Sequence, residues 1–120
     1  MVANELDALK SQFSACETIA FADLATNMVL VTNSDTPQER HALDQLCAEA
    51  ALLLGNPDMP QLGTNAVISA VVSTQDHLRL FLRASGEPND ALCCVGSGDL
   101  DVQAFLPAAQ ACLHRISDDV

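Results

Sequence analysis

The feature that most constrains the fold is a capped helix in the middle of the chain. Thr36, Pro37 and Glu39 form a capping box with proline at the first helical position. In this motif Thr36 can accept a hydrogen bond from the amide of Glu39, and the Glu39 side chain can reach back to the amide of Thr36. The pattern predicts a helix from Pro37 to about Leu54, ended by Gly55.

This predicted helix is apolar on two sides. One side has the spacing that packs a helix onto a sheet, and its members are Leu43, Leu46, Cys47, Ala50, Leu53 and Leu54. In the C-terminal half, Ala48, Ala51 and Leu52 form a second apolar side. A lone domain would expose this second side to water, so the sequence predicts that a further surface covers it.

Segments with the alternation or the β-branched content of strands lie on both sides of this helix. Two precede it and form a hairpin across the turn Ala25-Thr26-Asn27, and three follow it. The last of the five is short and apolar throughout, which is typical of a strand in the middle of a sheet. The predicted strands are Glu17–Asp23, Met28–Thr32, Ala66–Ser73, His77–Ala84 and Ala91–Val95.

Two further helices complete the pattern, one over Asn4–Phe13 and one after Asp99, in which Pro107 predicts a kink or a delayed start. The order α-β-β-α-β-β-β-α predicts an α+β domain of three layers. Its five-stranded antiparallel sheet would carry helix 2 on one face and helices 1 and 3 on the other. The 120 residues suit a single domain over 1–120, with an ordered core of about residues 4–117.

The charge balance excludes several classes of partner. Sixteen acidic residues oppose five basic ones, which gives a formal net charge of −11. Nucleic acids and anionic membranes attract clustered cations, so neither is an expected partner. An acidic N-terminus, five cysteines without a C-x-x-C pair and the lack of a long apolar stretch predict a cytoplasmic protein with reduced thiols.

The glycines before the last helix resemble a phosphate-binding loop only superficially. In the segment Gly96-Ser97-Gly98, the place of a third glycine is taken by Asp101, and Asp99 adds a second negative charge. The only lysine of the chain is Lys10. A turn with an aspartate helix cap is the favoured interpretation. The sequence therefore predicts no enzyme, no catalytic residue and no cofactor.

The cysteines and histidines do not have the spacing of a metal site. Cys93 and Cys94 are adjacent on a strand, so their side chains point to opposite faces. Cys112 and His114 diverge on a helix. We expect buried apolar thiols and no bound metal.

Cations and an aromatic ring come together at one place in this acidic chain. Arg79, Phe81 and Arg83 fall on one face of the fourth predicted strand, opposite Leu80 and Leu82. A solvated face with extended arginine stems is the favoured interpretation. The functional alternative is a patch for a ligand or a protein partner.

Several segments together resemble the Roadblock family of dynein light-chain-like domains. They are Thr18–Asp23, Met28–Val31, His77–Arg83 and the apolar strand Ala91–Val95 before an acidic helix start. The resemblance lies in layout more than in invariant residues, and it covers about residues 4–117. The chain departs from the family at the first hairpin turn, Ala-Thr-Asn where many relatives have a glycine turn, and in a longer proline-rich loop after helix 2.

The resemblance implies a profilin-like, Roadblock-like fold and a role in protein binding. Such domains are non-enzymatic homodimers or heterodimers that bind and regulate small GTPases or serve as adaptors. We therefore expect a homodimeric adaptor or regulatory module whose partner is a small GTPase or another signalling protein. The alternative is a PAS- or GAF-like small-molecule sensor, which would need a partly polar cavity between the sheet and helix 2. The Leu, Cys and Ala content of that region favours a filled core instead.

The strand order of the family would place the strand Ala66–Ser73 at a sheet edge. This strand contains neither proline nor lysine, the residues that commonly protect an edge. Pairing with its symmetry mate would satisfy the edge amides, and helix 2 would cover its own second apolar side. The expected dimer interface consists of Cys47, Ala48, Ala51, Leu52, Val67, Ser69, Val71 and Ser73.

Overall fold

A computed structural model describes residues 2–34, 40–54, 69–84 and 89–119, and these contain three helices and five strands. The order α-β-β-α-β-β-β-α is the predicted one. The elements are α1 (Val2–Gln12), β1 (Cys16–Asp23), β2 (Met28–Ser34), α2 (Arg40–Leu54), β3 (Ser69–Ser73), β4 (His77–Arg83), β5 (Asp90–Ser97) and α3 (Val102–Asp119). The predicted capping box at 36–39, the end of helix 2 at Gly55 and the start of the third strand at 66–68 lie outside the described residues.

The five strands form one sheet in the order β2-β1-β5-β4-β3, and all neighbours are antiparallel. The apolar strand β5 lies in the middle, as its sequence predicted. The strands β2 and β3 lie at the two edges of the described sheet. Between β1 and β2 the register shifts at Phe21 and Ala22, which is a β-bulge on the β2 side.

Helices cover both faces of the sheet, which confirms the predicted three layers. The helices α1 and α3 pack on one face and α2 packs on the other. Adjacent residues of one strand therefore enter different cores: Cys94 lies in the α1/α3 core, and Cys93 lies in the α2 core. Phe13 and Phe105 close the α1/α3 core with an edge-to-face contact of 5.0 Å between ring centroids.

The first hairpin turn, between β1 and β2, contains no glycine, and an asparagine takes its place. Asn27 has a φ of 55°, the left-handed region that favours glycine and, after it, asparagine. The Asp23 carboxylate accepts a hydrogen bond of 3.0 Å from the amide of Ala25 and holds the start of the turn. Asparagine therefore supplies the conformation that glycine supplies in other turns of this kind.

The start of α3 shows the expected aspartate cap. The Asp101 carboxylate accepts a hydrogen bond of 3.3 Å from the amide of Ala104, three residues later. Pro107 lies inside α3, and the helix begins at Val102, so the proline does not delay the start of the helix. Pro107 has no amide hydrogen for the carbonyl of Gln103, and both residues are exposed, so water can reach this carbonyl.

Candidate functional site

The outer surface of α2 carries the most exposed large apolar side chain among the described residues. Leu52 is 81% exposed, and Ala48, one turn before it, is also exposed. Ala51 is half-buried, and Cys47 is completely buried in the α2 core. Of the four helix residues expected at a dimer interface, Ala48 and Leu52 face outward, whereas Cys47 packs inside its own protomer.

The β3 residues expected at the interface lie on the other face of the sheet. Ser69, Val71 and Ser73 are exposed, and Val67 lies outside the described residues. Their neighbours Ala70 and Val72 are half-buried and pack against the α2 core. The alternation of a strand therefore separates the predicted strand residues from the predicted helix residues.

Ala70 and Val72 are the β3 side chains that sequence reasoning missed. They lie opposite Phe81 and Arg79 of β4, whose face α2 covers. The alternation of β3 separates these residues from Ser69, Val71 and Ser73, but which of the two sets faces α2 depends on how the helix packs on the sheet.

Arg79, Phe81 and Arg83 do not form an exposed patch. They share one face of β4, as predicted, but that face is the one beneath α2. Phe81 is 0% exposed and Arg83 is 3% exposed, and burial lowers the pKa of the Arg83 guanidinium. Arg79 alone remains partly open to solvent, and its Nε lies 3.0 Å from Oε1 of Glu49 on α2. The prediction of a surface patch is wrong because a helix, rather than water, covers this face.

A cleft of about 700 Å³ opens between the first half of α2 and the sheet. Its floor is a row of directly opposed side chains from three strands, Thr18 of β1, Val95 of β5 and Arg79 of β4. Leu43 and Leu46 of α2 line the opposite wall. The expectation of a filled, apolar space between helix 2 and the sheet is therefore wrong for this end of the helix.

The next row along the sheet shows why the cleft ends where it does. Ala20, Cys93 and Phe81 are again directly opposed, and they pack closely with Cys47 and Ala50 of α2. The second half of the helix is thus in contact with the sheet, while the first half leaves a space above the row that contains Arg79.

Two pairs of a basic and an acidic side chain line the cleft. Arg79 faces Glu49, and Nε2 of His77 lies 3.4 Å from Oε1 of Glu17. The two basic side chains are separated by one residue on β4, so both project from the same face of the strand. The two carboxylates come from different elements, β1 and α2.

The thiols are buried in both cores and do not have the environment of reactive cysteines. All five cysteines are buried. Burial raises the pKa of Cys93 and of Cys94, and a hydrogen bond with Cys16 adds to the effect at Cys94. Within the described ranges, no group of three or more His, Cys, Asp or Glu side chains is placed to hold a metal ion. Among the helices of the same ranges, none is long and apolar enough to cross a bilayer.

The order of the elements, the strand order and the helix layers together define a Roadblock-like α+β fold. Solved structures with this fold match the whole length of the chain. A Roadblock/LC7 domain from Streptomyces avermitilis has a TM-score of 0.72 at 10% identity, covering 97% of this chain and 94% of its own. MglC from Myxococcus xanthus has a TM-score of 0.69 at 12% identity, with both chains fully covered. The gliding protein MglB from Thermus thermophilus has a TM-score of 0.70 at 15% identity, covering 99% of this chain and 90% of its own.

Sequence comparisons give no closer relationship. No protein-family model matches the chain, and no curated protein matches it. At identities of 10–15%, the structural matches establish a shared fold.

Proposed function

We propose that this chain is a non-enzymatic, homodimeric adaptor or regulatory module, a single Roadblock-like domain that binds protein partners in a reducing cytoplasm. The observation that carries the proposal is the apolar outer side of α2 beside an open sheet edge. Leu52 is 81% exposed, and β3 ends the described sheet without a proline or a lysine.

The proposed dimer joins the two β3 edges in antiparallel pairing about a twofold axis perpendicular to the sheet. Such an axis keeps the two α2 helices on the same face of the joined sheet, next to each other. Exposed Ala48 and half-buried Ala51 are small, so the two helices can approach closely. Ala70 and Val72, which face α2, would then extend the shared core, whereas Ser69, Val71 and Ser73 would line the opposite side of the joint.

The oligomeric state is tested by light scattering on wild-type protein and on two matched variants. Ala51→Glu places a charge on the proposed interface, and Ala111→Glu places the same charge on the exposed side of α3. We expect a dimer for the wild type and for Ala111→Glu, and monomers or insoluble protein for Ala51→Glu. A monomeric wild-type protein at tens of micromolar would refute the dimer.

For the partner, we propose a small GTPase, the class that the Roadblock resemblance implies. Small GTPases encoded in the same genome, loaded with GDP or with a non-hydrolysable GTP analogue, are mixed with the chain and separated by size-exclusion chromatography. Co-elution of one GTPase in one nucleotide state supports the proposal, and failure of all of them to bind excludes it. Calorimetry of the chain alone with GTP, GDP and ATP should show no binding, because the acidic turn before α3 carries no phosphate-binding lysine.

A further inference from the structure

The cleft beneath α2 has the size and the lining of a small-molecule site. Its volume of about 700 Å³ lies within the range of ligand pockets, roughly 300–1,000 Å³. Apolar side chains, Leu43, Leu46 and Val95, line it together with two separated pairs of a basic and an acidic side chain. This combination of an apolar wall and a few convergent polar groups is typical of a site that orients a ligand.

The Arg79–Glu49 contact is an ion pair without the geometry of a hydrogen bond. Nε of Arg79 and Oε1 of Glu49 are 3.0 Å apart and both atoms are buried, but neither makes a hydrogen bond to a described residue. Buried polar groups in native proteins are nearly always hydrogen-bonded, so both side chains have room for a further polar partner, from water or from a ligand. A guanidinium has five N–H donors arranged to bind a carboxylate, and the exposed part of the Arg79 side chain lines the cleft.

The charges of the cleft select the class of ligand. A purely anionic ligand would meet Glu17 and Glu49 in a chain of net charge −11. A purely cationic ligand would meet Arg79. A zwitterion matches both signs, with its carboxylate at Arg79 and its ammonium group at a carboxylate. The apolar wall formed by α2 and β5 then receives an apolar side chain.

We propose that this cleft binds a free α-amino acid or a short peptide with an apolar side chain. The site lies within one protomer, and neither Leu52 nor any described residue of β3 lines it, although Ala48 lines the cleft and also belongs to the proposed interface. A ligand here would bridge the first half of α2 to the sheet and fix the angle at which the helix presents its outer side.

The ligand class is tested by isothermal titration calorimetry and ligand-observed NMR on the full chain. The probes are L-leucine and L-leucyl-L-leucine, with leucinamide as the analogue without a carboxylate and 4-methylpentanoate as the analogue without an ammonium group. We expect at least one zwitterion to bind and each analogue to bind at least tenfold more weakly. Absence of binding by both zwitterions at about 10 mM overturns the proposal, as does equal binding of either analogue.

Three variants locate the binding. Arg79→Gln and Glu17→Gln each remove one charge of the cleft, while Arg40→Gln removes an exposed guanidinium that pairs with Asp44 at 3.2 Å outside the cleft. We expect at least a tenfold loss of affinity in the first two and none in the third. If Arg79→Gln does not fold, Glu17→Gln decides, since Glu17 is 40% exposed in its side chain. Affinity unchanged in every folded cleft variant overturns the assignment.

Comparison with Leu52→Asp separates this inference from the proposed dimer. Because Leu52 is outside the cleft, the soluble Leu52→Asp variant should bind the zwitterion as the wild type does. Loss of dimers with retained ligand binding supports both proposals. Dimers that persist in Leu52→Asp would contradict the proposed interface alone, and a dimeric wild type that binds neither zwitterion would contradict the cleft proposal alone.

Discussion

Truncating Leu52 to alanine tests the proposed interface with a magnitude that follows from exposure. In the isolated protomer Leu52 is 81% exposed, so the substitution removes almost no buried contact, and the free energy of unfolding should change by less than about 0.5 kcal/mol. Only a second surface lying against this side chain would make the substitution costly.

The expected cost to the dimer comes from the hydrophobic effect. Full burial of a leucine side chain contributes about 1.5–3 kcal/mol, so covering the 81% that is exposed and then truncating it to alanine loses about 1–2 kcal/mol per protomer. A twofold interface contains the residue twice, which gives about 2–4 kcal/mol per dimer. At 1.4 kcal/mol per factor of ten, the dissociation constant of the dimer should rise roughly 30- to 700-fold.

Sedimentation velocity across a concentration series measures this change, and urea unfolding checks that the protomer is intact. The matched control is Leu30→Ala on β2, where the leucine is 54% exposed at the opposite edge of the sheet. We expect the control to dimerise as the wild type does. A dissociation constant for Leu52→Ala within about threefold of the wild-type value would refute the reasoning, because the side chain would then remain in water in the dimer.

Three further predictions concern the fold itself. Asn27→Val should destabilise the protein by about 1–2 kcal/mol in chemical unfolding, whereas Asn27→Gly should be neutral or stabilising, because φ of Asn27 is 55°. Equal unfolding free energies for the two variants would contradict a left-handed conformation at this position. Asp101→Ala should cost about 1 kcal/mol by loss of the α3 cap, and Asp101→Asn, which keeps the acceptor, should cost much less in the same measurement. Raising the pH above about 8.5 should lower the free energy of unfolding, because burial raises the pKa of the Cys93 and Cys94 thiols and only the unfolded chain then ionises. The stabilisation is complete below the thiol pKa of the unfolded chain. The sequence has no tyrosine and one lysine, so few other groups titrate in this range, and Cys93→Ala should reduce the dependence of the unfolding free energy on pH between pH 8 and 10. An unchanged dependence would mean that the Cys93 thiol is not its cause.

Local sequence signals predicted the elements because each signal acts within a few residues. Alternation, β-branched content and the apolar run before Gly96 located all five strands, and the central position of β5 followed from its uniformly apolar composition. The aspartate cap of α3 could also be predicted, because the capping carboxylate and the amide that donates a hydrogen bond to it are only three residues apart. The resemblance in layout to Roadblock domains agreed with the fold, although structural matches at 10–15% identity share little sequence with this chain.

The period of a strand states which side chains share a face, but it does not state what covers that face. Arg79, Phe81 and Arg83 were correctly placed on one face of the strand, but Phe81 and Arg83 are buried and only Arg79 stays partly exposed, because α2, which precedes β4 in the chain, packs over this face. The same limit applies to β3, where the choice between Ser69, Val71 and Ser73 and the alternate residues Ala70 and Val72 depends on which face meets α2.

The sequence by itself determined the order of helices and strands, the antiparallel sheet within three layers, and a second apolar side on α2. These features depend on local spacing and on the need to bury apolar surface. Only the tertiary structure decided that α2 contacts the row Ala20–Cys93–Phe81 and leaves a cleft above the row Thr18–Val95–Arg79. The members of each row come from three strands that are distant in the chain, and the angle of a helix on a sheet is set by the summed packing of all of them. No local pattern contains that sum, so the cleft and its two pairs of basic and acidic side chains could be identified only from the register of the strands in the folded protein.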